Sequence, residues 1–161
     1  MKILIFSDTH RRTQTMADIL ARSRRSVDLV LHLGDCYTDL AEIRDDFPEI
    51  AFLGVRGNCD LFANADFPDE NAVSFEGHRL FFTHGHRYDI KRSDVPLLYA
   101  AKKAGADIAL FGHTHVGTLY TKEGITLFNP GSLSEPRDGH AGSYGRITLE
   151  NGSCRIERLF C

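Results

Sequence analysis

The first sixty residues of the chain alternate two hydrophobic periods. Lys2–Phe6 is a short β-rich apolar run, and residues 13–25 then place Met16, Ile19, Leu20 and Ser23 at helical spacing. Leu29–Leu33 is a second apolar run, Leu40, Ile43 and Phe47 share the next helical face, and Ile50–Val55 is a third run. Buried strands separated by single amphipathic helices predict a parallel βαβαβ half. Beyond residue 70 the pattern becomes one of hairpins. Ala72–Phe75 and Arg79–Thr83 flank Glu76-Gly77, and Gly117–Thr121 and Ile125–Phe128 flank Glu123-Gly124. Asn151-Gly152, between Tyr144–Leu149 and Cys154–Leu159, is the strongest turn signal in the chain. Residues 93–104 read as a helix with Ser93 as N-cap, Pro96 in the first turn, and Val95, Leu98, Tyr99 and Lys102 on one face. Ile108–Phe111 reads as another buried strand, and His32 as a core residue within its strand. About ten strands and three helices are too many for one open sheet of this length. The expected architecture is an α/β fold of two sheets packed face to face with helices outside, on one domain spanning 1–161.

Composition narrows the function classes. With 19 Lys and Arg against 22 Asp and Glu the net charge is −3, and no basic stripe is present, which argues against bulk nucleic-acid binding. No segment approaches the ~18 apolar residues of a membrane span. Cys36, Cys59, Cys154 and Cys161 form no C-x-x-C pair and are too few for a disulfide scaffold, so the expected setting is cytoplasmic, with reduced thiols. Oligomeric state stays open, as does the stretch 61–71, read as either a lid or an oligomer contact.

The informative feature is the residue type at the end of each strand. Asp8 and His10 come directly after the first strand, Asp35 after the second (in Gly34-Asp35) and Asn58 after the third (in Gly57-Asn58). His84 comes after Arg79–Thr83, and His113 and His115 after Ile108–Phe111. The carboxyl edge is where open α/β sheets bind ligands. Spacings of 35 − 8 = 27 and 58 − 35 = 23 residues each equal one βα unit, so adjacent strands would bring these side chains together. Two carboxylates, one amide and four imidazoles suit two borderline divalent transition ions better than a lone zinc or a hard magnesium site.

Asp8-Thr9-His10, Gly34-Asp35, Gly57-Asn58, Thr83-His84-Gly85-His86 and Gly112-His113-Thr114-His115 together resemble the signature of the calcineurin-like metallophosphoesterases. Asn129-Pro130-Gly131-Ser132 is similar to a late segment of the small bacterial and archaeal phosphodiesterase branch. The resemblance implies a four-layer αββα sandwich of two mixed sheets with a binuclear metal centre. It implies Asp8, His10 and His115 on one metal, Asn58, His84 and His113 on the other, and Asp35 bridging. The implied ions are manganese first, with nickel, iron, zinc or cobalt as alternatives. A metal-bridging hydroxide would attack a small phosphate ester, with no protein nucleophile.

Cys59 departs from the commoner pattern. Many family members have Gly-Asn-His where this chain reads Gly57-Asn58-Cys59-Asp60, although the small branch resembles the cysteine version. A thiol is a weak proton donor, and losing a general acid costs ~10²–10⁴-fold for a poor leaving group. The expectation is therefore a phosphodiesterase that handles monoesters poorly, with His86, Cys59 and Asn58 as the candidate catalytic residues. The alternatives are a phosphomonoesterase of the same family, or a metal-holding interaction scaffold resembling the eukaryotic retromer subunit. Arg11, Arg12 and Arg137 are candidate phosphate contacts, with exposed surface arginines as the simpler reading.

Overall fold

The computed structural model describes residues 1–36, 38–60 and 67–161. One sheet holds β1 (Lys2–Phe6), β2 (Leu29–His32), β3 (Ala51–Gly54), β9 (Ser143–Glu150) and β10 (Ser153–Phe160), in the order β10-β9-β1-β2-β3. The other holds β4 (Glu70–Phe75), β5 (His78–Thr83), β6 (Ile108–Leu110), β7 (Thr118–Lys122) and β8 (Ile125–Asn129), in the order β4-β5-β6-β8-β7. Both sheets are mixed. β1, β2 and β3 run parallel, β9 runs antiparallel to β1 and β10 antiparallel to β9, while β5, β6 and β8 run parallel between antiparallel edges.

Alternation along each strand sorts side chains into three apolar layers. Ile3, Ile5, Leu29, Leu31, Leu80, Phe82, Ile108, Leu110, Phe128 and Ile147 fill the space between the sheets. The opposite faces of β1 and β2 present Leu4, Phe6 and Val30 to α1 (Thr13–Ser23) and α2 (Thr38–Ile43), which contribute Met16, Leu20 and Leu40. The outer face of the second sheet gives Phe81, Ala109 and Leu127 to α3 (Val95–Lys103). Four layers, helix–sheet–sheet–helix, result from these three interfaces.

Several expectations need correction. α3 is capped at Asp94, although the Ser93 hydroxyl does accept the Val95 N–H at 3.2 Å. Its buried face is Leu97, Leu98 and Ala101, and Tyr99 and Val95 are 72% and 58% exposed. The sheet takes the side with two adjacent leucines, so the i, i+3, i+4, i+7 series starting at Val95 faces partly outward. α1 ends at Ser23, and β5 opens at His78, which pairs with Asp107 at 2.6 Å. The Asn151-Gly152 turn forms as expected, with both residues at positive φ (51° and 75°) as a two-residue hairpin of this type requires. Residues 61–66 of the lid or oligomer-contact stretch lie outside the described residues. No helix among the described residues is long and apolar enough to cross a membrane.

Candidate metal centre

All seven expected ligand residues sit in loops at the carboxyl ends of β1, β2, β3, β5 and β6. Two sheets contribute, so the site straddles the mouth of the interface between them. Five of these residues turn through left-handed backbone: Asp8 (φ 51°), His10 (42°), Asp35 (58°), His113 (66°) and His115 (59°). Such conformations are strained for side chains other than glycine and concentrate at functional sites. They turn the chain sharply enough to aim consecutive polar side chains at one point.

Asp8, Asp35, His84 and His115 share one logic: each fastens one polar atom to a neighbour and leaves the other facing the centre. Asp8 Oδ2 accepts from the Ser7 hydroxyl at 2.6 Å and the His113 N–H at 3.1 Å, leaving Oδ1 buried without a hydrogen bond. Asp35 Oδ1 accepts the Cys59 N–H at 2.8 Å, and its Oδ2 faces His84 Nε2 at 3.4 Å. His84 Nδ1 donates to the Leu33 carbonyl and His115 Nδ1 to the Glu135 carbonyl, each at 2.7 Å. The proton on Nδ1 leaves each Nε2 as a bare lone pair. His115 Nε2 then lies 3.1 Å from Asp8 Oδ1, and His84 Nε2 lies 3.2 Å from Asn58 Oδ1. His10 Nε2 is also buried without a hydrogen-bond partner.

Acceptors aimed at acceptors repel unless positive charge sits among them. Asp8, His10, Asp35 and His115 place one donor atom each within 4.8 Å of one another, and Asp35, His84 and His113 do the same. Asp35 belongs to both clusters. This donor set, with its orphaned Asp8 Oδ1 and His10 Nε2, fits two divalent cations sharing one carboxylate. Without a cation, burial works against the charged forms, yet Asp35 and Asp8 still raise His84 above its ordinary value. His115 rises likewise through Asp8, and the two histidines in turn hold Asp8 and Asp35 below the usual carboxylate range. His113 moves the other way, to about 4, through burial and the proximity of His84 and Lys91.

Glycines beside the ligands permit this approach. A Cβ on Gly112 would overlap the Ser7 hydroxyl and come within 2.9 Å of Asp8 Oδ2, and one on Gly57 would strike the Asp35 side chain and amide nitrogen.

The supporting shell was less legible. Asp60 is buried, and its carboxylate accepts the N–H groups of Asp35 (3.0 Å), Cys36 (2.9 Å) and Gly57 (2.7 Å), which stitches the β2 and β3 loops together. Its place in Gly57-Asn58-Cys59-Asp60 is the signal that could have flagged it. Behind the Asp8 turn, fully buried His32 accepts the Gly34 N–H at 3.2 Å and donates to Thr9 Oγ1 at 3.0 Å. Thr9 Oγ1 donates in turn to Asp39 at 2.6 Å, which also accepts the Arg11 N–H at 2.8 Å. Ser132 and Ser134 both donate to the Asp8 carbonyl, at 2.8 and 3.0 Å. Of the candidate catalytic residues, Cys59 and Asn58 are exposed. His86 is half-buried, with its ring centred 5.3 Å from His84 and 6.1 Å from His113. Arg11, Arg12 and Arg137 are exposed.

The profile of the calcineurin-like phosphoesterase superfamily domain matches residues 1–152. The chain belongs to that family. Among curated relatives, a probable metallophosphoesterase of Bacillus subtilis, YsnB, is 35% identical over 97% of this chain and 89% of its own. The phosphodiesterase YfcE of Escherichia coli is 30% identical over 91% of this chain and 87% of its own. A solved structure of a predicted phosphoesterase from Streptococcus pneumoniae superposes with a TM-score of 0.81 at 30% identity, over 99% of this chain and 88% of that one. Entamoeba histolytica Vps29 in complex with zinc shares the fold, with a TM-score of 0.77 at 21% identity over 99% and 98% of the two chains. The seven candidate ligands all lie within the span that the family matches.

Proposed function

We propose that residues 1–161 act as one domain that hydrolyses phosphate diesters at a binuclear centre. Asp8, His10 and His115 hold one divalent ion, Asn58, His84 and His113 hold the other, and Asp35 serves both. The observation that carries this reading is the pair of donor clusters sharing Asp35, with Asp8 Oδ1 and His10 Nε2 buried and without a hydrogen-bond partner. When bound, two such ions supply Lewis acidity and an activated water for in-line attack on phosphorus.

The chain's own groups do the rest. Two carboxylates against four metal charges leave the site about two positive charges in surplus, which favours an anionic ester. Burial and Asp35 push the Cys59 thiol up to about 11, so the residue stays neutral and weakly donating. Burial, His84 and Arg87 lower His86, which keeps that imidazole neutral near pH 7. Neither group is a strong acid, so leaving groups that need little protonation suit the site best. A groove of about 500 Å³ reaches Thr114, between His113 and His115, and gives one ester arm a mixed surface of Phe111, Val116 and Tyr120 with Lys91, Arg92 and Lys122. The name of YfcE agrees with the diesterase reading.

The test is hydrolysis of bis(p-nitrophenyl) phosphate and p-nitrophenyl phosphate by chelator-stripped protein, with and without manganese. Diesterase activity restored by metal, with little monoesterase, is the expected result. Equal turnover of both esters overturns the diester preference and leaves a phosphomonoesterase. A second reading, a metal-holding interaction module, draws on the fold shared with Vps29. Silence on both esters across manganese, nickel, iron, zinc and cobalt would put that reading first.

A further inference from the structure

The last strand, β10, reaches the loop behind the first ligand cluster through one side chain. Arg158 lies beyond the 1–152 span that the family profile matches. Its guanidinium pairs with Asp138 at 2.6 Å, and both side chains are largely buried, 18% and 12% exposed. Its Nε donates to Ser143 Oγ at 3.0 Å, and that hydroxyl donates onward to the Pro130 carbonyl at 2.7 Å. Gly117 and Gly131 pack flat against the guanidinium, where any Cβ would overlap it or approach within 2.9 Å. Arg158 therefore fits a slot that two glycines keep open.

What Arg158 holds is the frame of the first cluster. Asp138 Oδ2 also accepts the Gly117 N–H at 3.0 Å, tying residues 134–138 to the loop that carries His113 and His115. Along the same segment, the Glu135 carbonyl fixes His115 Nδ1, and the Arg137 N–H donates to the His115 carbonyl at 3.0 Å. Ser132 Oγ accepts the Glu135 N–H at 2.8 Å while donating to the Asp8 carbonyl. One buried ion pair thus fastens a loop that orients both Asp8 and His115. Nothing comparable connects β10 to His84 or to Asn58 among the described residues.

We propose that Arg158, through Asp138, is a positioning residue that sets the affinity of the Asp8–His10–His115 cation site selectively over the Asn58–His84–His113 site. This rests on the binuclear reading above. Removing a partner that orients a metal ligand typically weakens metal binding 10–100-fold. Arg146 supplies the control: it pairs with Glu157 at 2.8 Å across the same two strands, away from the loops of the site.

The experiment is calorimetric manganese titration of chelator-stripped wild type, Arg158→Met, Arg158→Lys and Arg146→Met, paired with amide hydrogen exchange of the metal-free proteins. Wild type and Arg146→Met are expected to take two ions and to protect the Gly117 amide. Arg158→Met is expected to lose at least tenfold in affinity for one ion, to keep the other, and to lose protection at Gly117. Arg158→Lys, which keeps the charge without the fork, should recover part of both. Two unchanged affinities, equal weakening of both, or an unchanged Gly117 amide in Arg158→Met overturns the proposal. Should that variant not fold, Asp138→Ala, which removes the acceptor of both Arg158 and the Gly117 N–H, carries the same two readouts. A wild type that takes no ion overturns the binuclear reading, and the exchange measurement still reports on the clamp.

Discussion

Cys59 sits where a histidine would put an imidazole beside Asp35, and the exchange is the sharpest residue-scale test of ester preference. Cys59→His is expected to raise p-nitrophenyl phosphate turnover about ten-fold or more over wild type, with less gain on the bis ester. No change in the ratio of the two would remove Cys59 from the account of specificity. Asp60 carries a different prediction. Asp60→Ala strips the acceptor from three backbone N–H groups, and is expected to lower stability by ~2–4 kcal/mol and metal affinity by ~10-fold or more, read by urea unfolding and titration. His32 gives a pH signature. Burial lowers it to about 4 from an ordinary 6.5, so between those values the unfolded chain binds the extra proton. Its stabilising contribution is complete above pH 6.5 and is lost as pH falls through that window, about 2 kcal/mol between pH 7 and pH 5. Metal-free wild type should show that loss in urea on top of the one that His113 contributes by the same downward shift, and His32→Gln should reduce the slope by the His32 share; parallel slopes would refute the assignment. The seven ligand positions were legible because motif and strand end coincide in the sequence. Asp60, Asp39 and Arg158 were not, because a residue that holds a backbone N–H or a loop leaves no periodic trace.

At the scale of elements, the strands were legible and the helix faces were not always so. β1, β2, β5 and β6 are buried on both sides, so their apolar runs are nearly continuous and admit only one reading. α3 is a short helix, and two helical faces compete for its apolar residues. The sheet beneath decides, and it takes Leu97, Leu98 and Ala101. Leu98→Ala should therefore cost ~2–5 kcal/mol and Tyr99→Ser less than ~0.5 kcal/mol in denaturant unfolding. Comparable losses at both positions would restore the face expected from the sequence. α2 was read from Leu40, Ile43 and Phe47, but its α-helical part stops at Ile43 and a 3₁₀ turn over Arg44–Asp46 carries the chain to buried Phe47. Spacing alone cannot register that tightening, since both helix types put such residues on the same side.

For the whole molecule, the decisive point is that candidate ligands come from both sheets. A cation at Asp8, His10 and His115, or at Asn58, His84 and His113, would draw on both sheets and join the two across their common core. Binding to the folded state alone contributes about 2.7 kcal/mol per site at a concentration 100 times Kd. In a chain of this size each kcal/mol raises Tm by ~2–4 °C, so saturating manganese should raise the melting midpoint by ~5–10 °C or more and excess chelator should reverse it. A midpoint indifferent to manganese and to chelator would argue against a centre spanning the sheets. The left-handed turns at Asp8, His10, Asp35, His113 and His115 carry a further consequence, for descent. Each holds a polar side chain in backbone that glycine would adopt with less strain, by about 1 kcal/mol. A lineage released from binding cations would gain robustness by replacing those residues one at a time, with the sandwich intact around the vacated loops. Selection for stability alone therefore runs against this set of side chains.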